Sequence, residues 1–277
     1  MSSISELEEL TTTVRRDIVK MIHEAGSGHP GGSLSMVEIL VALFFEILNK
    51  KPDNPQWPAR DRLVLSKGHG VPALYSVLAR AGYFPVEKLQ NLRKLGSPLQ
   101  GHPDYSRLPA VEASTGSLGQ GLSIAAGIAL AAQVQNRDYH TYCLIGDGES
   151  NEGQIWEAAL FSPEQDLTNL TVIVDYNKYQ LDGAVEDILP LEPFVDKWES
   201  FNWKTTRVDG HDLSETVEVL QRARQDTDNP HAIIADTIKG KGISFMENNN
   251  DFHGRAPTDE ELEQALDELN NNRAGAE

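Results

Sequence analysis

The chain has 277 residues, of which 39% are hydrophobic and 24% charged, enough for one large α/β domain with a sizeable core or at most two domains. Its 42 Asp and Glu against 24 Lys and Arg give a formal net charge of −18, which argues against nucleic-acid binding through a basic patch. The longest apolar run, around 39–48, is too short to span a membrane, the acidic start lacks the parts of a signal peptide, and the single cysteine excludes a disulfide framework, so a cytoplasmic protein is expected.

In chain order, Leu7, Leu10, Val14, Ile18, Met21 and Ile22 recur at helical spacing and stop at Gly26. A glycine-rich loop over 26–33 precedes a second helix over about 35–48. Residues 62–66 read as a strand, followed by Lys67-Gly68-His69-Gly70 and a helix opening near Pro72. Gly116-Ser117-Leu118-Gly119-Gln120-Gly121 leads into an alanine-rich helix over 122–135. Strand 141–145, helix 152–161, strand 170–175, helix 193–200, strand 204–208, helix 213–224 and strand 231–236 then alternate. Such alternation implies βαβ crossovers, hence an α/β fold with a mostly parallel twisted sheet and helices on both faces, binding ligands beyond the carboxyl ends of its strands. The domain is expected over 1–257, with an acidic helix or tail over 258–277. Cys143, within a strand, reads as a packing residue.

The densest chemical signal lies at 146–183. Gly146-Asp147-Gly148 follows one apolar strand and Asn177 follows the next, 30 positions later. A carboxylate and an amide oxygen at neighbouring strand ends suit a hard cation such as Mg²⁺, usually shared with phosphates. Taken alone, Gly146-Asp147-Gly148 favours a turn aspartate, with Asn177 as a loop-capping asparagine. Four of the eight histidines, His29, His69, His102 and His253, adjoin glycine on separate loops, where imidazole suits proton transfer and hydrogen bonds to hydroxyls. Lys241 offers either a cation near such a site or a solvated loop lysine.

Ser27-Gly28-His29-Pro30-Gly31, Ser66-Lys67-Gly68-His69, Gly101-His102-Pro103, the 116–121 loop, Gly146-Asp147-Gly148 with Asn177, and Phe252-His253-Gly254 occur in this order. Together they resemble transketolase, over its N-terminal, diphosphate-binding half, and Lys239-Gly240-Lys241-Gly242 with Ser244-Phe245-Met246-Glu247-Asn248 is most similar to transketolases split into two subunits. The resemblance implies Mg²⁺ (Ca²⁺ or Mn²⁺ substituting) held by Asp147, Asn177 and the Tyr179 carbonyl. It implies thiamine diphosphate contacted by His69, His253, Gly116, Leu118, the Gly148 N–H and Lys241. His29 and His102 would bind substrate hydroxyls, and together with His253 would serve catalysis. Glu152 and Glu157 would lie near a subunit contact. It further implies ketol transfer between sugar phosphates, activity only with a C-terminal partner subunit, and a heterotetramer. The competing readings are other thiamine diphosphate enzymes, such as deoxyxylulose-phosphate synthase or 2-oxo acid dehydrogenases, and a non-catalytic cofactor-binding subunit.

The acidic surface also motivates a high-salt host, in which screening removes the self-repulsion. The melting temperature is then expected to rise towards molar KCl; an unchanged midpoint would remove the idea.

Overall fold

A computed structural model describes residues 3–274; Met1, Ser2 and the last three residues of the expected acidic segment lie outside the described residues. Five parallel strands form the central sheet: β1 (Arg62–Leu65), β2 (Thr141–Gly146), β3 (Leu170–Tyr176), β6 (Lys204–Asp209) and β7 (His231–Asp236), in the order β1-β2-β3-β7-β6. A short antiparallel pair, β4 (Tyr179–Gln180) and β5 (Gly183–Ala184), follows β3. The in-register row Val64, Cys143, Val172 and Ala232 faces one core, while the residues on either side of it face the other. Both faces are therefore apolar, as a buried parallel sheet requires.

One face is covered by α1 (Ile4–Ala25), α3 (Val37–Ala42), α4 (Val71–Arg80) and α9 (Leu213–Gln225). The other is covered by α5 (Gln120–Val134), α6 (Gly153–Glu164) and α8 (Phe194–Ser200), where Trp156, Phe194, Trp198 and Trp203 pack together. Helix α1 starts with a reciprocal capping box: the Glu6 N–H donates to the Ser3 hydroxyl oxygen, and the Ser3 N–H donates to the Glu6 carboxylate. It stops at Gly26, whose φ of 64° is left-handed, as the sequence indicates. Cys143 is fully buried, as expected of a packing residue.

Two segments depart from expectation. The glycine-rich segment is helical over Pro30–Leu34 (α2), because Pro30 at the first turn is preorganised for helix and needs no N–H partner there. The expected helix 35–48 is instead α3 followed by a wider π turn over Leu43–Ile47, closed by Leu48 N–H donating to the Leu43 carbonyl at 2.8 Å. At the other end, α10 (Asp259–Ala274) is docked rather than free. Ala265 and Leu269 are buried beside α1, and Arg16 donates to the Leu269 carbonyl at 2.9 Å.

Candidate functional site

The C-terminal ends of β1, β2 and β3 open into one cleft of about 330 Å³, lined by His29, His69, His102, His253, Gly116, Leu118, Asp147, Gly148, Asn177 and Tyr179, among others. The four histidines come from four separate segments, yet their rings cluster. His29 lies 5.3 Å from His69, 6.4 Å from His102 and 5.7 Å from His253, and His69 lies 5.6 Å from His253, centre to centre. Helix α2 sets this arrangement by letting other chain segments press against it: a side chain on Gly31 would meet Lys239 at 3.0 Å, and one on Gly32 would meet His69 at 3.2 Å.

Burial holds the four imidazoles neutral. It lowers His29 to about 4, with Arg93 and His102 adding to the effect, and lowers His253 to about 3, with Lys239 next in weight. His69 lies well below its ordinary value, again through burial first and Lys67 second, and His102 is lowered by burial and Arg93. Neutral imidazole can accept at one nitrogen and donate from the other, which suits hydroxyl recognition and proton transfer. The Nδ1 of His29 is buried with no partner.

Asp147 is 2% exposed, and burial followed by repulsion from Asp175 raises its carboxyl to about 7. It accepts the Gly148 N–H at 2.7 Å and the Lys178 N–H. Asp175 next to it holds the local cation: Lys67 pairs with it, Ser35 donates to it at 2.6 Å, Thr237 donates to it, and Asn177 Nδ2 donates to it at 3.1 Å. That amide contact leaves Asn177 Oδ1 as the oxygen available on the cleft side, where the Tyr179 N–H reaches it at 3.1 Å. Among the described residues no group of three or more His, Cys, Asp or Glu is arranged for a metal ion. The side-chain donors are therefore all oxygen, a buried carboxylate with no cation of its own and an amide, which fits a hard divalent ion. Gly148 lets Gln180 pack close at this edge of the cleft, since a side chain there would meet Gln180 at 2.7 Å.

The structure brings together every expected site residue except Lys241. That side chain points to Glu247 at 3.8 Å and does not line the cleft; Lys239, two positions earlier and 1% exposed, reaches His253 Nδ1 and Asn250 at 2.8 Å each. Sequence reasoning also missed Asp175 and Glu149, and left Lys67 without a role. Buried Glu149 accepts from Ser66, from Gly119 N–H at 2.8 Å and from Gly146 N–H at 3.0 Å, tying the 116–121 loop to the end of β2. Glu152, at the cap of α6, and Glu157 on it are exposed, as are Leu160 and Phe161 of the same helix. A second concavity of about 620 Å³ lies behind the 176–192 segment, but its Arg207 is committed to Glu192 and Asp236.

The buried histidines carry a stability prediction. In the unfolded chain each takes a proton near pH 6.5, whereas the folded chain holds His29 near 4 and His140 and His253 near 3, with His69 and His231 also lowered, burial being the first cause throughout. The unfolded state thus binds more protons as pH falls below 6.5, and folded stability is lost; His140 alone costs about 2 kcal/mol at pH 5. Asp147, Glu149 and Glu112 work in the opposite sense, because their carboxyls, raised by burial, bind a proton in the folded state first. Three carboxyls against six histidines, His102 among them, leave a net loss, so the melting temperature should fall from pH 7 to pH 5; a flat or rising midpoint would contradict it.

A parallel sheet covered on both faces, with oxygen donors that fit a hard cation at its carboxyl edge, is the architecture of a cofactor-binding α/β domain. Residues 7–274 match the family described as transketolase, thiamine diphosphate binding domain, and the chain belongs to this family. It is 46% identical over 264 residues to the 6-deoxy-6-sulfo-D-fructose transketolase subunit of Clostridium sp. (strain MSTE9), covering 95% of this chain and 96% of that one. It is 39% identical to an apulose-4-phosphate transketolase subunit of Phocaeicola vulgatus, covering 96% and 94%. The transketolase structure from Campylobacter jejuni superposes with a TM-score of 0.91 at 36% identity, over 97% of this chain but only 43% of that one.

Proposed function

We propose that this chain is the N-terminal subunit of a two-subunit transketolase, which reversibly moves a two-carbon ketol unit from a ketose phosphate to an aldose phosphate with Mg²⁺–thiamine diphosphate. The observation that carries the reading is the convergence of four neutral histidines on the cleft that holds the Asp147–Asn177 oxygen set. End-to-end similarity to relatives named as subunits supports the two-chain arrangement. The cofactor, when bound, supplies the nucleophilic carbon and stores the electron pair of the broken carbon–carbon bond. Asp147, Asn177 and the Tyr179 carbonyl would hold the metal. The Gly148 N–H, His69 and His253 would hold the diphosphate, with Lys239 as the nearby cation, and Gly116 and Leu118 would support the aminopyrimidine end. His29 and His102 would bind the sugar hydroxyls, and His29 would move the proton at the carbonyl oxygen. A glutamate on the partner subunit would activate the cofactor, and the exposed apolar and acidic surface of α6 suits a contact between subunits within a heterotetramer. No described helix is long and apolar enough to cross a membrane; the location we propose is cytoplasmic.

A pentose phosphate is the default ketose. The 46% identity to a relative named for a sulfonated ketose favours a second candidate, a ketose ending in sulfonate. The test is turnover of xylulose 5-phosphate with ribose 5-phosphate, and in parallel of 6-deoxy-6-sulfofructose, by the chain with and without its partner. Turnover is expected only with the partner, Mg²⁺ and thiamine diphosphate present. Full activity of the chain alone would sink the two-chain arrangement, and no ketol transfer from either ketose by the complete mixture would sink the transferase reading.

A further inference from the structure

A buried ionic network of Arg15, Glu38 and His211 lies outside the residues that line the cleft. Arg15 on α1 donates from Nη2 to both oxygens of Glu38 on α3, at 2.7 and 2.9 Å. Glu38 also meets His211 Nδ1 at 3.1 Å. The two outer members then grip one loop at both ends: the Ile238 N–H donates to His211 Nε2 at 2.8 Å, and Arg15 Nε donates to the Lys241 carbonyl at 3.0 Å. Because His211 Nε2 accepts, its Nδ1 carries the proton and donates to Glu38. Between the two grips sits Lys239, whose ammonium reaches His253 Nδ1 and Asn250 Oδ1 at 2.8 Å and lies 3.5 Å from the Gln180 carbonyl. An ammonium group has only protons to give, so Nδ1 of neutral His253 accepts and the ring N–H must be on Nε2.

We propose that Arg15, Glu38 and His211 form a buried clamp that positions Lys239 and thereby fixes His253 as the Nε2–H tautomer, a hydrogen-bond donor to whatever occupies the cleft. The clamp members are positioning residues: they act through the loop 238–241 and Lys239 and touch no ligand. A tautomer left free would present a donor for only part of the time, and the cleft would lose a preorganised contact to a developing or resident negative charge. What His253 donates to rests on the ketol-transfer reading above; the tautomer does not.

The test is a long-range proton–nitrogen NMR spectrum of the ¹⁵N-labelled full chain, with the His253 signals assigned by their loss in His253→Gln. His253 is expected as Nε2–H in the parent chain, and as a mixture gaining Nδ1–H in Lys239→Met. His211→Asn keeps an amide for Glu38 but cannot reach the Ile238 N–H, so it should show the same shift. His211→Gln places an oxygen near the former Nε2 position and should restore the parent spectrum. In the assembled enzyme, His211→Asn and Lys239→Met should each lower kcat/KM on the order of tenfold, as outer partners of site residues do, and the double variant should lose little more. A parent His253 with its proton on Nδ1, an unchanged tautomer in His211→Asn, or fully additive losses in the double variant would overturn the clamp. An assembled parent enzyme without ketol transfer would instead defeat the functional reading and leave the tautomer result standing.

Discussion

Asp147→Asn is expected to stabilise the metal-free chain while removing its affinity for the cofactor. The parent carboxylate is 2% exposed, its carboxyl is raised to about 7 by burial and by Asp175, and the neighbouring Lys67 is already engaged by Asp175. At pH 8 it is ionised in a place that disfavours charge. A neutral amide of the same shape relieves that cost, less the penalty of turning an NH₂ towards one of the two backbone donors, Gly148 N–H and Lys178 N–H. The net gain is about 2 kcal/mol, or about 5 °C in melting temperature. The same change removes the only formal negative charge from the cation set. A divalent ion bridging to a diphosphate loses roughly 3 kcal/mol of attraction, about a hundredfold in cofactor affinity. Melts at pH 8 with and without Mg²⁺–thiamine diphosphate read both effects: the parent should gain stability on adding the cofactor and D147N should not. If D147N melts below the parent in metal-free buffer, or binds the cofactor equally well, Asp147 is not a ligand held in readiness for a cation.

The parts of the site that were legible from sequence are those whose signal is local. Asp147 and the four histidines stand beside glycines, Asn177 directly follows an apolar strand, and the strand–helix alternation fixes which edge of the sheet those loops occupy. What could not be read depends on partners distant in the chain. Asp175 reads as the last residue of an apolar strand, and nothing near it announces Lys67, 108 positions away. Glu149 reads as one more acidic residue after the aspartate, yet it is the acceptor that ties the 116–121 loop to β2. The choice between Lys239 and Lys241 is a matter of backbone handedness. Gly240 is left-handed at φ 81°, and across that turn Lys239 reaches His253, which lines the cleft, while Lys241 meets Glu247 outside it. The short helix α2 was missed for a related reason: its glycines suggest a loop, but they serve the close approach of Lys239 and His69.

Lys67→Met should be the most damaging single change in the cleft, through folding before chemistry. Lys67 is 1% exposed, pairs with the fully buried Asp175, and donates to the Gly32 carbonyl at 2.9 Å. Burial alone would raise the Asp175 carboxyl; the adjacent ammonium and the Ser35 and Thr237 hydroxyls together carry it below its ordinary value. Removing the ammonium leaves a carboxylate buried with hydroxyl and amide donors but no opposite charge, a loss of about 3–5 kcal/mol. That is on the order of 10 °C in melting temperature for a domain of this size. Because Asn177 is oriented by Asp175 at 3.1 Å and α2 is held through Gly32, metal affinity should fall as well. The double variant K67M/D175N separates the two effects. It removes both charges and keeps a polar group for the surrounding donors, so it should melt well above K67M, with a coupling of a few kcal/mol. It should nevertheless stay weak in metal binding, since neither the orientation of Asn177 nor the anchor on Gly32 is restored. K67M as stable as the parent, or a double variant no more stable than K67M, would show that the pair does not hold the two strand ends together.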